Sequence, residues 1–287
     1  MKNTKGYIYS IIGAILFGTA GLFIKSAYET GLSAVSLLTV QYIFAVILMF
    51  IVAFIKNKET LKVSKKQLKD LAVLGIIGNT FMTVFYYMAF EYLPMAMVTM
   101  LLYTYPIMVF IYTTVFNKRK VKPRKLMALL LAFTGCILTL NLLGGKLSYS
   151  YKGIIIGLLS AVFYAFMNIF AEKKLSNVEP LTINAYSTLF SLISLCIYSF
   201  PTFLFRGEIH VNGLINILCL AFFCEIIPLT LLYAAISYIG ALKVSIISNL
   251  EIPTSMIVGF LFLQEKVSII QIIGAMCIIY AVYLLRD

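Results

Sequence analysis

Long apolar runs separated by short polar breaks dominate the chain. A helix needs about 20 apolar residues, at a rise of 1.5 Å each, to cross the hydrocarbon core of a bilayer. The pattern therefore predicts an all-α integral membrane protein. The predicted spans, ten in number, are 6–28, 33–55, 70–91, 94–116, 124–142, 152–172, 181–205, 213–237, 240–263 and 267–285. They use almost the whole chain, so we expect no separate soluble domain.

Composition supports a membrane protein and argues against a metal or disulfide framework. Hydrophobic residues make up 62% of the chain and charged residues 12%, whereas soluble domains have about 45–50% and about 25%. All five cysteines fall in apolar runs, and an odd number at membrane depth argues against disulfides. With His210 as the one histidine, we expect no metal site and no cofactor.

The basic residues lie in loops, which predicts how the chain is oriented. The formal charge of +12 is spread over several short loops and not over one face, so we expect no nucleic-acid partner. Lys and Arg are concentrated on the cytoplasmic side of membrane proteins. With the N-terminus inside, the outside receives only Lys25, Lys146, Lys152, Arg206 and Lys266. This asymmetry predicts that both termini are cytoplasmic.

The chain also repeats weakly. Sliding it on itself by about 147 positions places Pro106 on Pro253. Because the shift corresponds to five spans, an odd number, equivalent helices would cross the membrane in opposite directions. We therefore predict two inverted five-helix repeats, 1–145 and 146–287, an architecture that many secondary transporters share.

Several motifs resemble the EamA-type members of the drug/metabolite transporter superfamily. The second half carries them best, as YAAISYIG at 233–240, SNLEIP at 248–253, GFLFLQE at 259–265 and QIIGA at 271–275. The first half is a degenerate counterpart, with Tyr103-Thr-Tyr-Pro106 in place of Leu250-Glu-Ile-Pro253. It has Asn117-Lys-Arg119 where the second half has Gln264-Glu-Lys266, so the signature that ends the fourth helix is missing there.

The resemblance extends over nearly the whole chain. It implies a ten-helix transporter with a central cavity that opens alternately to each side of the membrane. It does not identify the substrate, because members of the superfamily export amino acids, purines, drugs and other metabolites, and some import solutes such as choline.

Two carboxylates are predicted at membrane depth, where charge is costly and usually functional. Glu225 and Glu251 lie on either side of the turn near 238–239, each roughly 20 Å from it along a helix. With the repeat shifted by one residue, Asn79 lies opposite Glu225 and Tyr105 opposite Glu251. We therefore predict that these four residues gather near the centre of the membrane.

The two glutamates have different predicted roles. Glu225 belongs to no motif of the family pattern, which favours a substrate-binding or proton-carrying role. Glu251 lies in the shared Leu-Glu-Ile-Pro pattern, so it either supports the broken backbone near Pro253 or takes part in transport directly. Either carboxyl would couple transport to protons if it gains and loses one, or would pair with an amine as a fixed negative charge.

Prolines and polar side chains extend the candidate site. A proline removes a backbone donor, which is tolerated in a membrane only where protein or a water-filled cavity satisfies the freed group. The prolines predicted as hinges are Pro106, Pro228 and Pro253. The polar residues predicted around the cavity are Tyr103, Tyr164, Asn168 and Tyr233. The rings of the three tyrosines could attract an ammonium group by cation–π interaction. Gln41 and Asn184 are expected to bond between helices.

The leading hypothesis is a secondary active transporter of the plasma membrane that exports amino acids or related small metabolites by alternating access. The alternative is an organic-cation or choline-like carrier. A channel and an intramembrane enzyme are more distant alternatives, and without an HExxH motif we expect no catalytic activity. No phosphate-binding loop occurs either, so the sequence does not support transport driven directly by ATP. The expected partners are a small-molecule substrate and the lipid bilayer, and the oligomeric state is left open.

Overall fold

The computed structural model describes residues 2–20, 22–23, 34–93, 95–140, 150–198, 211–264 and 266–285. These residues form ten helices, some of them built from consecutive segments. In chain order they are α1 (Lys2–Gly18), α2 (Ala34–Asn57), α3 (65–90), α4 (95–116), α5 (Pro123–Thr139), α6 (Tyr151–Lys174), α7 (Pro180–Tyr198), α8 (211–239), α9 (241–263) and α10 (Ile269–Leu284). The predicted repeat boundary at 145–146 lies outside the described residues.

The helices are those of a membrane protein, as predicted. Seven stretches of described residues are long and apolar enough to cross a bilayer, in α2, α3, α4, α6, α7, α8 and α9. The described parts of α1 and α5 are 17 residues long and α10 has 16. At 1.5 Å per residue these three reach about 25 Å, slightly less than the hydrocarbon core. The orientation of the helices in the membrane remains a prediction.

Local sequence explains where several helices begin. Ser64 and Gln67 form a capping box at the start of α3, with each side chain bonded to the other residue's backbone N–H. Ser268 and Gln271 form the same arrangement at the start of α10. These reciprocal bonds satisfy N–H groups that have no partner inside the helix. Pro123 lies in the first turn of α5, where a missing donor costs nothing.

The helices pack in pairs that exchange between the two halves. In the repeat, α1 is equivalent to α6, α3 to α8 and α4 to α9. The first helix of each half packs on helices of the other half: α1 contacts the second part of α8 and α9, and α6 contacts the second part of α3 and α4. The contacts of α2 with α7 and of α5 with α10 each join equivalent helices. Such exchange is expected for an approximate twofold relation between five-helix repeats, and it suggests inverted repeats.

Close contacts of glycines with tyrosines also repeat between the two halves. A Cβ atom added to Gly6 would lie 2.8 Å from the Cβ of Tyr238, and one added to Gly153 would lie 2.7 Å from the Cβ of Tyr92. Tyr92 and Tyr238 are equivalent in the sequence repeat. The two halves therefore use the same close approach, which only a residue without a side chain permits.

Four helices are interrupted, also at equivalent places. Both α3 and α8 contain a π-helical segment, at Leu74–Thr80 and Phe222–Ile226. Two-residue turns interrupt α4 at 103–104 and α9 at 249–250. In α3, the hydroxyls of Thr80 and Ser191 donate to the Gly75 carbonyl over 3.0 and 2.9 Å. Side chains thus satisfy backbone groups that the irregular turns leave without helical partners.

Candidate functional site

Glu225 lies in the interior of the protein, bonded to a neighbouring helix. Its side chain belongs to the π-helical segment of α8 and is only 7% exposed as a residue. The Thr188 hydroxyl on α7 lies 3.2 Å from Glu225 Oε1 and donates to it. The same hydroxyl lies 3.1 Å from Asn184 Oδ1. A buried carboxyl with one hydroxyl donor is only partly satisfied, so its charge is costly there.

Asn184 holds the backbone of α8 in its irregular shape. Its amide nitrogen lies 3.3 Å from the Glu225 carbonyl oxygen, 3.2 Å from that of Ile226 and 3.0 Å from Thr230 Oγ1. The π-helical segment and Pro228 remove regular donors from this stretch. The interhelical bonding predicted for Asn184 is therefore confirmed, and its effect is to fix the backbone that carries Glu225.

The first repeat contains an uncharged counterpart of this arrangement. The Tyr42 hydroxyl on α2 lies 3.4 Å from Asn79 Oδ1 in the π-helical segment of α3. In the sequence repeat Tyr42 is equivalent to Thr188, and Asn79 to Glu225. Tyr42 is also within electrostatic range of Glu225, so the two arrangements adjoin. The Asn79 amide nitrogen is buried and has no hydrogen-bond partner among the described residues.

Glu251 instead lines an open cavity of about 420 Å³. It is the first residue of the α9 segment that follows the turn at 249–250, and its carboxyl is hydrogen-bonded to Tyr103 on α4. The polar residues that share the cavity wall with Glu251 are Tyr86, Thr99, Tyr103, Thr139, Ser255, Lys266 and Gln271. Among the described residues, the lining includes Glu251 but not Glu225.

Three tyrosines form one aromatic cluster beside this cavity. The rings of Tyr105 and Tyr164 have centroids 4.2 Å apart, and those of Tyr103 and Tyr105 are 6.3 Å apart. The Tyr105 hydroxyl donates to the Ser245 carbonyl oxygen over 3.3 Å. This bond joins α4 to α9, the equivalent helices of the two repeats. The cluster therefore lies at the junction between the halves.

The aromatic cluster connects the surroundings of the two glutamates. Tyr164 is within electrostatic range of both Glu251 and Tyr233, and Tyr233 is within electrostatic range of Glu225. The Cys224 thiol is within range of both carboxyls. The tyrosines thus lie between a half-buried acid in the cavity wall, Glu251, and a buried acid in the adjoining core, Glu225.

The structure divides the predicted central site into two parts. Asn79 lies with Glu225, and Tyr105 lies with Glu251, as the repeat leads one to expect. Among the described residues, Glu225 is bonded to Thr188 and Glu251 lines the cavity, and a single central site formed by all four residues remains a prediction. Asn168 bonds within its own helix, donating to the Tyr164 carbonyl oxygen over 2.9 Å. Its Oδ1 is buried and has no hydrogen-bond partner among the described residues.

The predicted hinge prolines all border irregular turns. Each lies in the first turn of a helical segment, Pro106 in Tyr105–Ile111, Pro228 in Ile227–Ile239 and Pro253 in Glu251–Leu263. Each segment follows a break or a π-helical segment of the same helix. All three prolines are buried, so protein surrounds the interrupted backbone. A hinge movement at these prolines remains a prediction.

Several residues of the site were not in the predicted set. Thr188 has a signal in the sequence, because the repeat register places it on Tyr42. Lys266 was predicted only as a basic residue of an outside loop, but it also lines the cavity that contains Glu251. Gln271 caps α10 and donates to the Thr139 carbonyl oxygen over 3.1 Å. A capping residue gives no sign in the sequence that it also borders a cavity.

The cavity is open at the helix ends that are predicted to be outside. Tyr86 near the end of α3, Ala96 near the start of α4 and Lys266 between α9 and α10 all belong to its lining. With the orientation predicted by loop charge, the cavity faces the exterior. Its 420 Å³ is within the usual range for small-molecule sites.

Polar contacts join the two halves at the opposite ends. Arg119 Nη1 lies 3.0 Å from Glu172 Oε1, and the backbone N–H of Ala241 donates to Glu172 Oε2 over 3.2 Å. We call these three residues the Glu172 bridge. Nearby, Lys243 Nζ donates to the Tyr7 hydroxyl over 2.7 Å. These contacts hold α1, α6 and α9 together on the predicted cytoplasmic side.

A ten-helix membrane fold with repeated broken helices and a cavity open to one side is typical of transporters, and the repetition suggests inverted repeats. The profile of the EamA-like transporter family matches residues 4–141 and 151–286. The chain therefore belongs to the EamA-like transporter family, within the drug/metabolite transporter superfamily, as the sequence motifs indicated. It is a multi-pass membrane transporter and not an enzyme.

Relatives from distant organisms support this assignment. The chain is 23% identical over 285 residues to the uncharacterized transporter YcbK of Bacillus subtilis, a match that spans 95% of this chain and 90% of that protein. It is 27% identical over 184 residues to human solute carrier family 35 member G1, spanning 61% of this chain and 49% of that protein. A crystal structure with 15% sequence identity superposes with a TM-score of 0.80 over 99% of this chain and 96% of the other, which shows a common fold.

Proposed function

We propose that the chain is a secondary active transporter that exports amino acids or closely related small metabolites across the plasma membrane by alternating access. The observation that carries this proposal is the cavity with Glu251 in its wall and Lys266 in the same lining. An α-amino acid carries an ammonium and a carboxylate, and this cavity offers a group of opposite charge to each.

In this proposal Glu251 binds the ammonium group. Its hydrogen bond with Tyr103 orients the carboxyl, and the Tyr103 and Tyr86 side chains supply aromatic surface beside it. The side chain of Lys266 then binds the substrate carboxylate. Thr99 and Ser255 provide hydroxyls for the remaining polar atoms of a small substrate.

Glu225 is proposed as the proton-coupling group. It is buried, is bonded through Thr188 and lies outside the cavity lining, so substrate need not contact it. A carboxyl that is buried in one state of the transport cycle and hydrated in the other gains and loses a proton as the states exchange. Its position beside the irregular turn of α8 makes its surroundings sensitive to movement of that helix.

A second candidate function is an organic-cation carrier of the choline type. It is favoured by the combination of Glu251 with Tyr86 and Tyr103, because aromatic faces and a carboxylate recognise quaternary ammonium groups. This candidate assigns no role to Lys266. The two functions are therefore distinguished by whether the substrate needs a carboxylate.

The test is flux into and out of proteoliposomes for matched pairs of compounds, an amino acid and the amine that lacks its carboxylate, with choline included. We expect saturable transport of at least one amino acid and weaker transport of its amine. Glu251→Gln should lower transport at least about tenfold, because a charge-assisted hydrogen bond contributes about 1.5–3 kcal/mol. Lys266→Gln should remove the preference for the amino acid over its amine.

The control variant is Glu59→Gln, which changes an exposed acid whose partner is Lys62, away from the cavity. It should transport as the unmodified protein does. Saturable choline transport that Lys266→Gln leaves unchanged, together with no amino-acid transport, would replace the first proposal by the second. Flux that does not saturate would contradict both.

A further inference from the structure

A second concave surface lies on the lipid-facing side of the protein, between α4 and α6. It is a groove of about 750 Å³, apart from the substrate cavity, and we call it the α4–α6 groove. Its apolar wall includes Ile111, Phe116, Val162, Phe166, Ile169 and Phe170. Ile111, Phe116 and Val162 are exposed, at 47%, 72% and 45% of their surface. In a membrane these faces contact lipid chains.

The groove has the length of one leaflet of the bilayer. Its lining on α6 extends from Val162 to Lys174. At 1.5 Å per residue this distance is about 18 Å, and half of a hydrocarbon core of about 30 Å is about 15 Å. The groove is therefore long enough to hold an extended acyl chain from the headgroup level to near the middle of the bilayer.

One end of the groove is positively charged. Lys173 and Lys174, in the last turn of α6, both belong to its lining. Lys173 Nζ lies 2.5 Å from the Tyr112 hydroxyl and 4.7 Å from the centre of that ring, which fixes the ammonium at the end of the groove. Among the described residues neither lysine pairs with a carboxylate, and the adjacent Glu172 is paired with Arg119.

We propose that the α4–α6 groove binds an anionic phospholipid, with its phosphate on Lys173 and Lys174 and one acyl chain along the apolar wall. The two parts of the groove match the two parts of that molecule, a charged headgroup and a long apolar chain. Loop charge predicts that this end of the groove lies at the cytoplasmic surface, where basic pockets between helices bind anionic headgroups.

The position of the groove gives the lipid a route to influence transport. Tyr112 belongs to α4, the helix that also carries Tyr103 and Tyr105 of the aromatic cluster. Lys173 follows Glu172 directly in the sequence, and Glu172 bonds to the start of α9. A bound lipid therefore contacts α4 and α6 next to the Glu172 bridge, and its loss should loosen the contacts there.

The binding test uses the purified full chain in detergent, with native mass spectrometry to count bound lipids and titrations of phosphatidylglycerol and phosphatidylcholine of equal chain length. We expect the unmodified chain to bind phosphatidylglycerol at least about fivefold more tightly than phosphatidylcholine. The double variant Lys173→Gln/Lys174→Gln should weaken phosphatidylglycerol binding by about 25-fold, because each lysine near an anionic surface contributes about fivefold. Binding of phosphatidylcholine should change little.

A matched control is the double variant Lys65→Gln/Lys66→Gln, which removes an adjacent, exposed lysine pair on the same predicted side but outside the groove. It should bind phosphatidylglycerol as the unmodified chain does. The apolar wall is tested by Val162→Trp, which fills part of the groove and should weaken both lipids. Val115→Trp is its control, because Val115 is an exposed valine of α4 that does not line the groove.

The proposal is overturned if the lysine double variant binds phosphatidylglycerol as tightly as the unmodified chain. It is also overturned if soluble glycerol phosphate binds as tightly as phosphatidylglycerol, since the acyl chain in the groove would then add nothing to the affinity. A dimer that disappears in Val162→Trp but persists in Val115→Trp would instead identify the groove as a contact between two copies of the chain.

Discussion

At the scale of single residues, the two repeats use one arrangement with different charge. In each repeat, a hydroxyl donates a hydrogen bond to a polar side chain in a π-helical segment. The pair is Tyr42 and Asn79 in the first repeat and Thr188 and Glu225 in the second. Only the second arrangement is able to carry a proton. A symmetric fold thus holds an asymmetric chemistry, and the charge lies on α8.

The substitution Glu225→Gln tests whether that charge couples transport to protons. The amide oxygen is still able to accept the Thr188 hydrogen bond, but the side chain no longer takes up or releases a proton. We expect exchange of labelled for unlabelled substrate to be retained and accumulation driven by a pH gradient to be lost. Both are measured in proteoliposomes, with Glu59→Gln as the control.

In the unmodified protein, exchange should vary with pH as the carboxyl gains and loses its proton, and in Glu225→Gln this variation should flatten. Accumulation driven by a pH gradient that survives in Glu225→Gln would remove Glu225 from the coupling mechanism. Loss of exchange and accumulation together, with substrate still bound, would make Glu225 a support for the moving helix.

Sequence reasoning found both buried acids but not the partners that define their surroundings. Charge in an apolar run is visible in one dimension, so Glu225 and Glu251 were predicted. Thr188 and Asn184 are polar residues of ordinary types, and their importance comes from facing an irregular turn on another helix. Lys266 lies in a loop between two predicted spans, where a lysine usually indicates only the orientation of the chain.

At the scale of helices, close packing of α5 on α10 depends on two glycines that face each other. A Cβ atom on Gly274 would lie 2.5 Å from the backbone nitrogen of Thr139 and 2.7 Å from the Gly135 carbonyl oxygen. Both atoms belong to a helical backbone, which is not able to move aside as a side chain does. The two helices would have to separate to make room.

We therefore expect Gly274→Ala to lower the free energy of unfolding by about 1–3 kcal/mol, the usual cost of overpacking. Gly78→Ala is the control, because the atom nearest to its added methyl would be the Met167 Cβ at 3.3 Å, close to an ordinary van der Waals contact. Unfolding in a denaturing detergent, followed by circular dichroism, measures both variants. Equal stability of Gly274→Ala and the unmodified chain would show that this helix pair is loosely packed.

The Glu172 bridge is expected to hold the two halves together on the predicted cytoplasmic side. An exposed ion pair alone contributes about 0–1 kcal/mol, but the Ala241 N–H holds the Glu172 carboxylate that pairs with Arg119 of the first repeat. We expect Glu172→Gln to increase the population that is open on that side. Spin labels at Lys120→Cys and Ser176→Cys, with the native cysteines replaced by alanine, should show a longer distance between them.

The control for this measurement is Glu59→Gln, which breaks the exposed ion pair of 2.8 Å between Glu59 and Lys62, outside the Glu172 bridge. It should leave the label distances unchanged. If Glu172→Gln and Glu59→Gln give the same distances as the unmodified chain, the bridge is a surface contact without influence on opening.

The helices themselves were predicted well, and their interruptions less well. Apolar length identifies a span regardless of its neighbours, which explains why ten helices were predicted. The turns at 103–104 and 249–250 lie near Pro106 and Pro253, so prolines indicated them. The π-helical segments of α3 and α8 depend on donors from α7, such as Ser191 and Asn184, and no local pattern reveals them.

At the scale of the whole molecule, the exchange of helix contacts between the halves explains how one cavity can open to either side. If the halves are related by an approximate twofold axis in the membrane plane, each contact that closes one side has a counterpart that is able to close the other. The described conformation has its cavity at the ends predicted outside and the Glu172 bridge at the other ends. In alternating access, the cavity would close at the outside ends, the Glu172 bridge would open, and the site would face the cytoplasm.

Orientation and cavity direction are tested together by cysteine labelling in a background without native cysteines. Thr99→Cys and Ser255→Cys lie in the cavity lining, and Lys120→Cys lies in the loop between α4 and α5. A maleimide that does not cross membranes should label the first two from outside intact cells and the third only in inverted vesicles. Excess substrate should protect Ser255→Cys, because it lines the same cavity as Glu251, and should not protect Lys120→Cys. The reverse pattern of labelling would mean that the chain is inserted with its termini outside. The cavity would then face the cytoplasm, which is the side from which an exporter binds its substrate.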